Sequence, residues 1–196
     1  MRPDLAALVG SRICHDLISP IGAISNGVEL LAMSDDSPSA EMQLISDSVD
    51  NASARIRFFR IAYGAATADQ FISQGEVTAI LGAMARGGRF TYAWEVADDP
   101  RRLEVRLVFL LLQCFESALP FGGEVAISST GTAWKIEATG RKISADPSLW
   151  DDLGTVRASD DIGPAQVHFA LMPDALKEAN RKLTADIQND RIVVTF

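Results

Sequence analysis

Arg12-Ile13-Cys14-His15-Asp16-Leu17-Ile18-Ser19-Pro20 decides the fold of this 196-residue chain, because of the periodic pattern that contains it. From Leu5 the apolar positions run Leu5, Leu8, Val9, Ile13, Leu17, Ile21, Ile24, Val28 and Leu31. Steps of three and four residues place them on one stripe of a helix. Ser34-Asp35-Asp36-Ser37-Pro38 breaks the pattern, and Ser37 or Ser39 offers a cap for the next element. A second stripe follows through Met42, Ile45, Val49, Ala52, Ile56, Phe59 and Tyr63, with the spacing of a coiled-coil seam. Each helix would be roughly 40 Å long at about 1.5 Å per residue. Residues 1–66 therefore read as a helical hairpin with too little surface to form a core alone. The natural partner is a second copy, giving a homodimeric four-helix bundle. Packing on the chain's own C-terminal half is the alternative.

Composition narrows the class. Apolar residues make up 47% and charged residues 22%, as in an ordinary globular protein. A net charge of −8 argues against a broad nucleic-acid footprint. The N-terminal pattern is periodic rather than continuously apolar, unlike a signal segment. The longest apolar run, 107–112, is too short to span a bilayer. We expect a cytoplasmic protein with no membrane contact. Cys14 and Cys114 lie inside apolar helical patterns and lack metal-site spacing, so both are expected to be buried, reduced thiols.

The pattern changes across a linker at 67–75, and residues 76–196 alternate between element types, the mark of an α/β domain. Helices are expected over 76–86, closed by Gly87-Gly88, and over 103–119. Strands are expected over 89–96, 124–129 and 133–138. Residues 141–163 look irregular apart from a turn near Leu149. A helical stretch from Pro164 to about Leu183, interrupted or kinked at Pro173, precedes a closing hairpin of 185–188 and 191–195.

On the first helix His15 falls opposite the Ile13–Leu17–Ile21–Ile24 stripe and should face solvent. Ser11, Ser19, Gly22 and Asn26 share that outer face at steps of three and four. Their small side chains would let a partner's surface approach the ring, as an in-line phosphoryl transfer requires. Asp16 is placed to accept a hydrogen bond from imidazole Nδ1–H, leaving Nε2 unprotonated and nucleophilic. Arg12, one turn earlier, would pair with Asp16 or with a phosphoryl oxygen. Pro20 removes a backbone donor just after the site and should bend the helix.

The string His15-Asp16-Leu17-Ile18-Ser19-Pro20-Ile21 resembles the phosphoacceptor box of sensor histidine kinases. Its extension, from Ser11 through Ile24-Ser25-Asn26-Gly27-Val28-Glu29-Leu30-Leu31, is closer to the ChpT-like bacterial histidine phosphotransferases. The resemblance is specific at the N-terminus and diffuse after residue 75. It implies a dimer with catalytic residues His15 and Asp16. It also implies partner-binding residues Arg12, Ser19, Gly22 and Asn26. Phosphate would pass from the receiver domain of a hybrid histidine kinase to response regulators. The C-terminal half would be an α/β sandwich resembling a degenerate kinase ATP-binding domain.

That comparison bears on the phosphate source. Such kinases carry an asparagine-rich helix before a T-P-x-G-G-like turn, and this chain has Leu119-Pro120-Phe121-Gly122-Gly123 there. The two positions that hold metal-binding asparagines are Leu110 and Cys114, neither a hard oxygen ligand for Mg²⁺. The segment matching the adenine-binding box is 138–143, with Ala138 in place of its aspartate and Lys142 in place of its second glycine. The 161–165 loop keeps one glycine where a phosphate cradle wants several. We expect no ATP and no cofactor on this chain, with Mg²⁺ supplied by the receiver. The rival readings are a sensor kinase that loads His15 from ATP and a non-catalytic adaptor that only binds receivers. His168, beside Phe169, Leu171 and Met172, reads as a core or boundary residue. Arg101-Arg102, with Arg86 and Arg89, reads as a solvated basic face.

Overall fold

A computed structural model describes residues 4–33, 39–86, 88–151, 153 and 162–196. The inter-helix break at 34–38 with its Ser37 cap, the Gly87 stop signal and Asp161 of the loop lie outside the described residues. Helix α1 spans Leu5–Met33 and α2 spans Ser39–Ala62. Asp4 Oδ1 opens α1 by accepting from the Ala7 N–H. Gly27 is buried where the helices meet: a Cβ there would lie 2.6 Å from Ile45 Cγ1. Its bare Cα permits that approach.

α3 (Gln74–Ala85) starts at Ser73, whose Oγ accepts from the Glu76 N–H at 3.1 Å. Then follow β1 (Phe90–Glu95), α4 (Arg102–Ala118), β2 (Gly123–Ser129), β3 (Trp134–Thr139) and the four-residue α5 (Pro147–Trp150). A 3-10 turn over 164–166 leads into α6 (Val167–Glu178), and β4 (Thr184–Ile187) and β5 (Arg191–Thr195) close the chain.

The strands form one sheet in the order β1-β2-β3-β5-β4. Only β1 and β2 are parallel, joined by the α4 crossover; the other pairs are antiparallel. The domain is therefore α+β with a mixed sheet, more antiparallel than the alternating pattern suggested. Alternation along β3 buries Trp134, Ile136 and Ala138 and exposes Lys135, so one face meets the helices and the other meets water.

α4 is the centre of the core, with Leu107 to Leu111 wholly buried. The hairpin's lower end joins the same cluster through Phe58, Phe59, Ile61 and Ala62, and Phe58 stacks on Phe109 at 4.5 Å. Leu5, Leu8 and Ile13 of α1 pack against it too. So part of the stripe expected to meet a second copy lies on the chain's own C-terminal half. Further along the hairpin, Ile18, Ile21, Val28, Met42, Val49 and Ile56 remain exposed.

The two prolines lie inside continuous helices, so the interruption expected at Pro173 does not occur. α1 runs as one helix through Pro20, and α6 runs through Pro173. α6 stops short of Leu183 because Asn180 adopts φ 52°. Arg181 N–H bonds the Leu176 carbonyl and Asn180 N–H the Lys177 carbonyl, a Schellman closure.

Candidate phosphoacceptor site

His15 lies on the outer side of α1, with 84% of its side chain exposed. Its Nδ1 is 3.0 Å from Asp16 Oδ1. An ionised carboxylate only accepts, so a neutral ring that makes this bond carries its proton on Nδ1 and keeps the lone pair on Nε2. Asp16 itself is largely covered, held by Arg12 of its own helix and Arg55 of α2, and Arg12 is in turn held from two further elements. Arg12 Nε donates to Asp16 Oδ2 at 3.0 Å. Arg55 of α2 brings Nη1 to 3.7 Å from the same oxygen while its Nε donates to Asn51 Oδ1. Arg12 Nη2 lies 3.5 Å from Glu116 Oε2 on the last turn of α4, and its Nη1 donates to the Ala165 carbonyl. The guanidinium is thus held by α1, α4 and the turn before α6 together.

Pro20 has a local consequence. Its missing N–H is the one that would bond the Asp16 carbonyl four residues earlier. Beside His15 opens a cleft of about 480 Å³, lined by Arg12, Asp16, Arg55, Arg89, Tyr92 and Glu116 among others. Burial pushes the Glu116 carboxyl above the usual range, opposed chiefly by Arg12. Burial likewise pushes the Tyr63 and Tyr92 hydroxyls up. A larger cavity, about 860 Å³, lies around Leu103, Trp134 and Arg181 at the other end of α4 and holds none of these groups.

The residues singled out in the sequence fall as follows. Arg12, His15 and Asp16 come together. Ser19, Gly22 and Asn26 are exposed on α1, and a Cβ at Gly22 would meet nothing within 4 Å. Arg55, Glu116 and Tyr92 are not among the residues singled out in the sequence, and Arg89 enters there only as part of a basic face. The available signal was an acidic residue in the last turn of a strongly apolar helix, where the helix dipole disfavours it. The basic cluster is corrected only at Arg102, which donates to the Arg60 carbonyl; Arg89, though exposed, donates to the Pro120 and Glu116 carbonyls. Arg86, Arg89 and Arg101 are exposed, as the solvated reading expects, and Arg102 is half-buried. Cys14 is exposed, contrary to expectation, because it lies off the Ile13–Leu17 stripe; Cys114 is buried and its thiol is pushed up by burial.

Where a kinase would hold nucleotide, Leu110 and Cys114 are fully buried. Phe115 stacks on Trp150 with centroids 5.9 Å apart, and Trp150 meets Phe169 edge-on. Leu119 Cδ2 would lie 2.4 Å from a Cβ at Gly140. His168 is fully buried against Phe169, and burial lowers its pKa to about 3. Its Nε2 lies 3.3 Å from Ser117 Oγ.

Comparison with known proteins fits this geometry. Residues 74–191 match the family model described as the histidine phosphotransferase C-terminal domain. The chain is 40% identical over 153 residues to protein phosphotransferase ChpT of Brucella abortus (strain 2308), covering 74% of this chain and 72% of that protein. A bacterial phosphotransferase structure superposes with TM-score 0.79 at 33% identity, covering 98% of this chain and 95% of that one. With an exposed histidine braced by the very half of the chain that matches the family model, the protein belongs to the ChpT-type histidine phosphotransferases.

Proposed function

We propose that this chain relays phosphoryl groups between receiver aspartates through His15. The observation that carries the reading is the exposed imidazole with Nδ1 fixed on Asp16 at 3.0 Å. His15 Nε2 attacks the phosphorus of a receiver's aspartyl phosphate in line. The P–N bond forms, the P–O bond to the aspartate breaks, and the aspartate leaves as a carboxylate. No base is needed, since Nε2 carries no proton. The ring retains Nδ1–H, and Asp16 offsets the positive charge it acquires. A second receiver's aspartate then attacks the phosphorus and frees the imidazole. Mg²⁺ belongs to the receiver's acidic pocket in this scheme; among the described residues no three His, Cys, Asp or Glu are grouped to hold a metal ion.

Ser19, Gly22 and Asn26 serve as the face on which the receiver lies, together with Arg12 at its edge. The donor is the receiver of a hybrid histidine kinase, and the acceptors are response regulators. The working unit is a homodimer: the exposed Ile18, Ile21 and Val28 of α1 with Met42, Val49 and Ile56 of α2 supply the apolar faces of a four-helix bundle. ATP has no part in the scheme. In its place the C-terminal half offers the buried Leu110 and Cys114. We place the protein in the cytoplasm; among the described residues no helix is long and apolar enough to cross a membrane.

Phosphotransfer profiling tests this. The chain is mixed in turn with ATP and with each phosphorylated receiver of its genome. Label is expected from one or a few receivers and none from ATP. Incorporation from ATP without a partner would make the protein a kinase instead.

A further inference from the structure

Glu116 is an awkward carboxylate unless something uses it. It lies on the last turn of α4, at the negative end of the helix dipole, in a largely covered position. Its own backbone carbonyl already accepts from Arg89. The compensating contact is Arg12 at 3.5 Å, and Arg12 is the residue that holds Asp16 Oδ2. A continuous chain of contacts therefore runs Glu116–Arg12–Asp16–His15, and it crosses from the C-terminal half into the hairpin.

We infer that Glu116 is a positioning residue for transfer through His15, holding Arg12 so that the Asp16 carboxylate stays presented to the imidazole Nδ1–H. The inference rests on the proposed role of His15 as phosphoacceptor. Arg12 has two anionic partners, so neither takes its whole charge. Asp16 accordingly keeps enough negative charge to hold the Nδ1–H and to offset the ring once it is phosphorylated. If Glu116 is neutral, Arg12 commits to Asp16, and the carboxylate is weaker toward His15. The half of the chain that resembles a kinase ATP-binding domain then does more than scaffold: it completes the acceptor site.

The other charged or titratable groups that face this cluster are Arg55 of α2, Arg89 before β1, Tyr63 after α2, Tyr92 of β1 and His168 of α6. Burial raises both tyrosine hydroxyls further above their ordinary value and lowers the His168 imidazole, so none of the three is charged near pH 7. Glu116 is raised from its ordinary value by burial, so its charge depends on Arg12 staying in place.

The test uses the full chain and a phosphorylated receiver that loads it. Glu116→Gln keeps the side chain's size and removes its charge. The His15 titration midpoint, followed by NMR at its ring protons, should fall by about 0.3 pH unit, the order expected when one charge is withdrawn from near a solvated imidazole. The transfer rate should fall about tenfold, within the coupling range of groups sharing one network. In an Asp16→Asn background the same change should have no further effect on rate. A midpoint and rate equal to the parent's would overturn the inference, as would an undiminished rate effect without Asp16. Glu116→Asp restores the charge and should return the midpoint to the parent value, which also serves if the glutamine variant does not fold; a midpoint displaced in Glu116→Asp would refute the charge argument. His15→Ala controls the underlying reading: label surviving there would sink the acceptor assignment itself, whatever Glu116 does.

Discussion

Lowering the pH from 7 to 4 should destabilise this fold through one buried imidazole, and replacing it should remove the effect. His168 titrates at 6.5 in an unfolded chain and at about 3 in the folded one, chiefly because burial penalises the charged ring. The sign follows from proton counting. Above pH 6.5 neither state binds the proton and stability is at its full value. Between 6.5 and about 3 the unfolded state binds it and the folded state does not, so stability is lost as the pH falls. The 2.5 units between 6.5 and pH 4, at about 1.4 kcal/mol each, amount to about 3 kcal/mol. His168→Leu fills similar space with an apolar group, and Ser117 keeps its bond to the Gln113 carbonyl. At pH 7 the variant should lie within about 1 kcal/mol of the parent, since it loses together one long hydrogen bond and a buried Nδ1 that has no partner among the described residues. At pH 4 it should be the more stable by about 3 kcal/mol. Urea unfolding at pH 7, 5 and 4, at one fixed protein concentration, reads this directly. A difference between the two proteins that does not change with pH would refute the reasoning.

Two glycines of α1 should respond oppositely to alanine. Gly27→Ala puts a methyl 2.6 Å from Ile45 Cγ1 and should cost about 1–3 kcal/mol by chemical denaturation. Gly22→Ala meets open space and should stabilise the helix by about 0.5–1 kcal/mol, whereas Gly22→Leu should leave stability intact and slow transfer from a phosphorylated receiver. If the proposed homodimer forms, Ile21→Glu combined with Val49→Glu should convert it to a monomer by light scattering; an unchanged mass would remove the bundle from the proposal. Adding Mg²⁺ and ATP should leave the melting temperature unchanged, because Leu110 and Cys114 are packed shut; a rise that saturates with nucleotide would contradict this.

Periodicity carried the sequence reading where local chemistry and tertiary packing agreed. The stripe from Leu5 to Leu31 became α1 almost to the residue, and the 124–129 and 133–138 alternations became β2 and β3 within one residue. His15 and Asp16 were legible because adjacency and helical phase alone bring them together. Glu116 and Arg55 were not, because each reaches the site from another helix, and nothing local announces a contact made across the fold. Cys14 misled for a related reason. It lies within an apolar run but off the apolar stripe, and burial follows the stripe. The end of α6 depended on a single Asn180 adopting the left-handed region, which the continuing apolar pattern up to Leu183 concealed.

The transferred phosphoryl group is expected on one nitrogen of one residue, so the most direct test locates it. The chain is loaded from a phosphorylated receiver without ATP and examined by ³¹P NMR. A single acid-labile phosphohistidine signal is expected, of the Nε2 isomer, and absent in His15→Ala. An Nδ1 isomer would mean that Asp16 does not hold the proton as the 3.0 Å contact indicates. Label that persists without His15 would contradict the relay altogether.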